Sequence, residues 1–194
     1  MKRVLFIVVC LVMVSIVSGQ EPETKDLEKI SKTKFESAFS RFLDAANSMY
    51  KDIETGEDIE INLSSYKKWD LGFPAAEITG YKYSWWEDWL GGTIEKHQTF
   101  VDYGTGDRSE MLERFNEIKS LLSSLKPKYL TGKGWTLNES EGKAPGDIGK
   151  VIYYTLQNKS KDAKVSTIEL RYFDAGFKNS GADVSLSFIS KFED

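Results

Sequence analysis

The chain reads as an α+β protein in which two amphipathic helices pack on one face of a largely antiparallel sheet. Three observations predict this. Between Lys150 and Phe192, three runs alternate apolar and polar residues: Ile152, Tyr154 and Leu156, then Ile168, Leu170 and Tyr172, then Val184, Leu186 and Phe188. Side chains on a strand point to opposite faces with a period of two, so each run has one apolar face and one wetter face. Upstream, Phe35, Phe39, Phe42, Ala46 and Met49 recur at steps of three and four, as do Met111, Phe115, Ile118, Leu122 and Leu125. Each set forms a single stripe on a helix, and a helix with one stripe needs a layer to lie on. Finally, tight polar turns separate these runs, and Gly91-Gly92 between Tyr81–Trp89 and Thr93–Tyr103 is a hairpin signal, so antiparallel pairing is favoured.

In chain order, Gln20 to Lys32 is charged, holds Pro22 and reads as a flexible leader. Thr33-Lys34-Phe35-Glu36 fits a capping box, and the first helix is expected to run to about Lys51 and stop near Gly56. Ile59, Ile61 and Leu63 mark a short strand, and Leu71 to Thr79, with Pro74, suits an edge strand. Tyr81 to Trp89 and Thr93 to Tyr103 form the hairpin. Asp107 caps a second helix, with Glu110 three residues on, and Pro127 is expected to end it. Trp135 and Leu137 mark another short strand, and Glu139 to Gly149 reads as a loop before the final meander. Residues 33–194 thus form one domain. Its halves, 33–103 and 107–192, share the order helix then four strands, which is compatible with a tandem repeat.

Met1 to Gly19 differs from the rest. Lys2 and Arg3 precede an apolar run from Leu5 to Val17, and Val17-Ser18-Gly19 supplies the small residues of a signal-peptidase site. The expectation is a signal peptide cleaved near Gly19 and a secreted or periplasmic product. Cys10 follows Val8 and Val9 rather than the small residues of a lipid-attachment site, so the mature chain has no cysteine and no disulfide. Without Lys2 and Arg3, 24 basic residues face 30 acidic ones, a balance that argues against nucleic acid as a partner. No segment of the mature chain has the length of a membrane span.

The most distinctive local feature is Tyr81-Lys82-Tyr83-Ser84-Trp85-Trp86-Glu87-Asp88-Trp89, which holds three of the five tryptophans. On a strand, Tyr81, Tyr83 and Trp85 share a face and Trp86 lies on the other, so one aromatic is expected to meet solvent. Exposed Trp and Tyr offer large contact area at low entropic cost. Tyr153, on the wetter face of the meander near Glu169 and Arg171, extends this candidate site of Tyr81, Tyr83, Trp85, Trp86 and Trp89.

Little else points to chemistry. His97, the only histidine, alternates with Glu95 and Thr99 and reads as a surface residue, with no nucleophile motif to serve. A zinc or copper site lacks ligands. The acidic run from Asp52 to Glu60 does not match a calcium loop, and Gly104-Thr105-Gly106 reads as a turn before a cap rather than a phosphate site. No cofactor or catalytic residue is assigned. Asn62, Asn138 and Asn158 begin N-glycosylation sequons. The reading is a secreted non-enzymatic binding protein that recognises a protein or glycan through an aromatic-rich surface. The alternatives are a carrier of an apolar ligand between sheet and helices, or a glycan hydrolase using Glu87 and Asp88.

Overall fold

The computed structural model describes residues 27–48, 50, 53–61, 64–89, 92–131, 134–144, 149–160, 162–178 and 180–193; of these, the side chains of 60, 61, 64–66, 79, 81–89, 92–95, 192 and 193 lie outside the description. The expected signal peptide, Met49 and the sequon at Asn62 therefore fall outside the described residues. The elements are α1 (Lys32–Asn47), β1 (Glu54–Ile61), β2 (Ser64–Trp69), β3 (Ile78–Trp89), β4 (Gly92–Gly106), α2 (Arg108–Tyr129), β5 (Trp135–Lys143), β6 (Lys150–Asn158), β7 (Val165–Asp174) and β8 (Ala182–Glu193).

All eight strands join one antiparallel sheet in the order β1-β2-β3-β4-β8-β7-β6-β5. Outward from the β4–β8 seam, both halves present their strands in the same sequence, fourth to first. The seam is long and pairs Ile94 with Glu193 at one end and Gly106 with Ala182 at the other.

Both helices cover the same side. Tyr154, Leu156, Ile168, Leu170, Tyr172, Val184, Leu186 and Phe188 are buried there, as the period-two reading requires. Phe188 is the hub: Phe42 stacks on it at 4.0 Å, and Phe39 and Phe73 lie 6.1 and 6.0 Å away. The α2 stripe from Met111 to Leu125 is buried throughout, with Phe115 edge-on to Tyr172. The helices also meet each other, through the Phe39 and Tyr129 rings and an ion pair of 2.5 Å between Lys128 and Glu36. Each large apolar side chain taken out of water contributes about 1.5–3 kcal/mol, so this layer carries most of the stability.

Several expectations are corrected. The cap of α1 is Ser31, whose hydroxyl accepts the Lys34 amide, and Glu36 is committed to Lys128 and Tyr129 instead of a capping box. The helix stops at Asn47, where Tyr50 adopts φ 62° and donates its amide to the Ala45 carbonyl. That backbone is unfavourable for a bulky residue. It is held because the Tyr50 ring is inserted between Phe42 and Trp69, and its hydroxyl bonds Ser190. Pro127 lies inside α2, which continues to Tyr129; its missing amide costs one hydrogen bond on an exposed final turn. Leu71 to Glu77 is a loop whose Leu71 and Phe73 plug the core, and the strand expected there is Ser64–Trp69. β5 extends to Lys143 through residues read as loop, because pairing with β6 supports it although nearly all of it is exposed. Trp89 pairs with Gly92 at the end of the hairpin ladder, and Gly91 of the expected turn lies outside the described residues.

The end of the expected leader is docked. Ile30 is buried and donates its amide to Glu117, and the Glu28 carbonyl accepts from Arg114, itself paired with Glu117 at 2.9 Å.

Candidate functional site

With both helices on one side, no described element covers the other side of the sheet, and over the seam it carries a groove of about 400 Å³. Its shape follows from side-chain size along β8. Asp183, Ser185 and Ser187 are short and form the floor, while Tyr153, Glu169 and Arg171 stand on one flank and Gln98 and Phe100 on the other. The register shows why these residues meet. Tyr153 pairs with Arg171, Arg171 with Ser185 and Ser185 with Asp102, a row across four strands. A second row runs Thr155, Glu169, Ser187, Phe100 and reaches Tyr81.

A bulge completes one end. Asp102 and Thr105 are three residues apart and would face opposite sides of a regular strand. The register shifts between them, with Gly104 at φ 83° and its amide bonded to the Asp102 carboxylate at 2.8 Å. The extra residue restores the parity, so both line the groove. The left-handed backbone at Gly104 is what calls for glycine, since an L side chain there is strained whatever space surrounds it.

Three carboxylates, Asp102, Glu169 and Asp183, face a single guanidinium, that of Arg171. Arg171 bonds Asp183 at 2.9 Å and lies 5.5 Å from the Phe173 ring. Burial lifts the Glu169 carboxyl above its usual range, with Arg171 and Thr155 pulling it partly back. Burial also lifts Asp183, opposed by Arg171 and reinforced by the charge of Asp102. A carboxyl whose folded value is raised binds its proton more tightly folded than unfolded. The stability it contributes is therefore present in acid and lost as pH climbs through the raised value. Glu169→Gln is accordingly expected to raise the melting temperature by about 2–4 °C at pH 7.5, and to match the parent near about pH 4; thermal unfolding followed by circular dichroism checks both arms.

The same face is basic at its other end, where Lys96, Lys159 and Lys191 surround a second hollow and Lys96 pairs directly with Lys191. Among the described side chains lining these two hollows, charge is thus divided, acidic at Asp102 and Asp183 and basic at Lys96 and Lys191.

Of the candidate residues read from sequence, Tyr153 stands beside Glu169 and Arg171 in the groove. For Tyr81, Tyr83, Trp85, Trp86 and Trp89 the backbone alone is described. It sets Tyr81 opposite Phe100, Tyr83 opposite Gln98 and Trp85 opposite Lys96, whereas Trp86 falls opposite Glu95 in the alternate row. The side chains of these five, and of Glu87 and Asp88, lie outside the described residues.

Comparison with protein-family models, curated proteins and solved structures gives no match. The geometry stands alone.

His97 is not at the surface: it is buried beneath α1, with Tyr50 6.1 Å away and Ser190 as its partner in the register. Its row, with Thr99 and Val101, belongs to the helix side, where the Tyr50–Ser190 pair offers a polar niche. Among the described residues no group of three or more His, Cys, Asp or Glu is placed to hold a metal, and no described helix is long and apolar enough to cross a membrane. Asn158 ends β6, its side-chain oxygen accepting the Ser160 amide at 2.9 Å, and Asn138 lies on the exposed edge strand β5. Sequence reasoning missed Phe100, Asp102, Thr105 and the serines of β8. Nothing local marks them; they become a site only once β4 and β8 are paired.

Proposed function

We propose that the chain is a secreted, non-enzymatic binding protein whose open sheet face receives a protein partner. The observation that supports this most is the groove over the seam: shallow, lined by aromatic, hydroxyl and charged side chains, and set on the side of the sheet that no described helix uses. Such a mixture matches the anatomy of recognition surfaces, with aromatic anchors beside polar contacts. Tyr81 and Tyr83, in register with Phe100 and Gln98, extend the same rows across β3. Secretion rests on the leader that ends near Gly19.

A carrier would hold its ligand between helices and sheet. That layer is occupied by the Phe42–Phe188 stack and its neighbours, which favours the open face over the interior. The test is capture of a partner from the native extracellular fluid by immobilised residues 20–194, compared with Tyr153→Ala, Phe100→Ala and Trp85→Ala. Loss of about tenfold or more in the amount retained, with melting temperatures held, is the expected result. Equal capture by all three variants would remove the open face from consideration, and retention of an oligosaccharide in place of a protein would replace the partner class.

A further inference from the structure

We propose that the groove over β8 is a receptor for a basic side chain, an arginine or lysine projecting from the protein partner. This deepens the reading given above and rests on it. The charge of the lining comes first: three carboxylates against one guanidinium leave the groove acidic, although Arg171 sits in its wall. Arg171 holds Asp183 through one terminal nitrogen and lies against the Phe173 ring, while its Nε has no partner among the described residues.

The floor is the second, independent observation. Ser187 is 6% exposed and lines the groove, yet its hydroxyl has no hydrogen-bond partner among the described residues. The hydroxyl oxygen itself is not fully enclosed, so the surface it keeps opens into the groove, where an occupant can reach it. Glu169 stands directly opposite Ser187 in the register. Together they present a hydroxyl oxygen and a carboxylate from adjacent strands, acceptors that the fork of N–H donors on a guanidinium can bridge.

The walls fit as well. Phe100 and Tyr153 bound the groove from opposite flanks, and aromatic faces attract a cation through their quadrupoles. The carboxylates gain from such an occupant. Burial raises both Glu169 and Asp183 in the free protein, and a bound cation favours the ionised forms, so binding expels protons and weakens as pH falls. Asp102, Arg171 and the Tyr153 hydroxyl are the other titratable or charged groups facing this space.

The experiment is an amide-resolved NMR titration of residues 20–194 with a blocked peptide carrying two arginines. A glutamate counterpart, a glucosamine tetramer and its N-acetylated form serve as competing probes. The arginine peptide is expected to shift the amides of Asp102, Ser185 and Ser187 at pH 7.5. Glu169→Gln and Asp183→Asn should each weaken it by about tenfold, and it should bind less tightly at pH 5. Glu169→Gln should do so while melting higher than the parent, which a merely structural role would not produce. Shifts centred on Lys96 and Lys191, unchanged affinity in both variants, or preference for the glutamate peptide would overturn the proposal. So would binding of the glucosamine tetramer without the peptide, or no binding by any probe. Should partner capture remain sensitive to Tyr153→Ala in those cases, the assignment of a cation fails and the open-face reading survives.

Discussion

Phe188→Ala is expected to destabilise the protein by about 3–5 kcal/mol, a loss of about 10 °C in melting temperature. The ring is fully buried and touches α1 and the 71–77 loop at once, through Phe39, Phe42 and Phe73. Removing it takes away its own burial and leaves a cavity that rigid rings on three sides cannot collapse to fill. Phe188→Leu keeps most of the volume and should cost less than about 1.5 kcal/mol. Urea unfolding of the two variants checks the contrast, and similar midpoints would mean that the ring cluster is not the keystone of the core.

Arg114→Met should cost about 3 kcal/mol, through a different cause. Arg114 is 4% exposed, donates to the Glu28 carbonyl at 2.7 Å and pairs with Glu117, whose other oxygen accepts the Ile30 amide at 2.8 Å. Breaking a buried pair from one side strands the remaining charge, which is why the loss falls at the low end of the usual range for a partner that can partly rehydrate. Replacing both members, as Arg114→Met with Glu117→Met, should recover part of the loss. The single variant should also open the chain to trypsin near Lys29 and Lys32, because residues 28–30 are held to α2 by these bonds. A double variant as unstable as the sum of its parts would remove the coupling.

The elements written most clearly in the sequence were those with a regular period. The α2 stripe and the three strands of the final meander need only their own residues to declare a buried face, and all are found where the period puts them. β2 was missed because Ser64-Ser65-Tyr66-Lys67-Lys68-Trp69 has no alternating apolar set. β5 was cut short for a related reason, since a strand held mainly by its ladder can be polar on both faces. His97 was misplaced because Glu95, His97 and Thr99 look like a wet row, and nothing nearby announces that Tyr50 and Ser190 will enclose it. The groove was half legible. Tyr153, Glu169 and Arg171 share a face by alternation within neighbouring strands, but their counterparts on β4 and β8 come from the pairing of residues about ninety apart, which no local pattern encodes.

The position of β8 sets the order in which this molecule can be assembled. β8, which follows the other seven strands in chain order, occupies the middle of the sheet, between β4 and β7. Until residues 182–193 are paired, the four strands on one side and the three on the other have no common neighbour, and β4 and β7 each keep a bare edge. Closing that gap brings together segments far apart along the chain, the kind of step that slows folding. Residues 182–193 therefore close the sheet, and while they are unpaired its two halves share no strand-to-strand ladder.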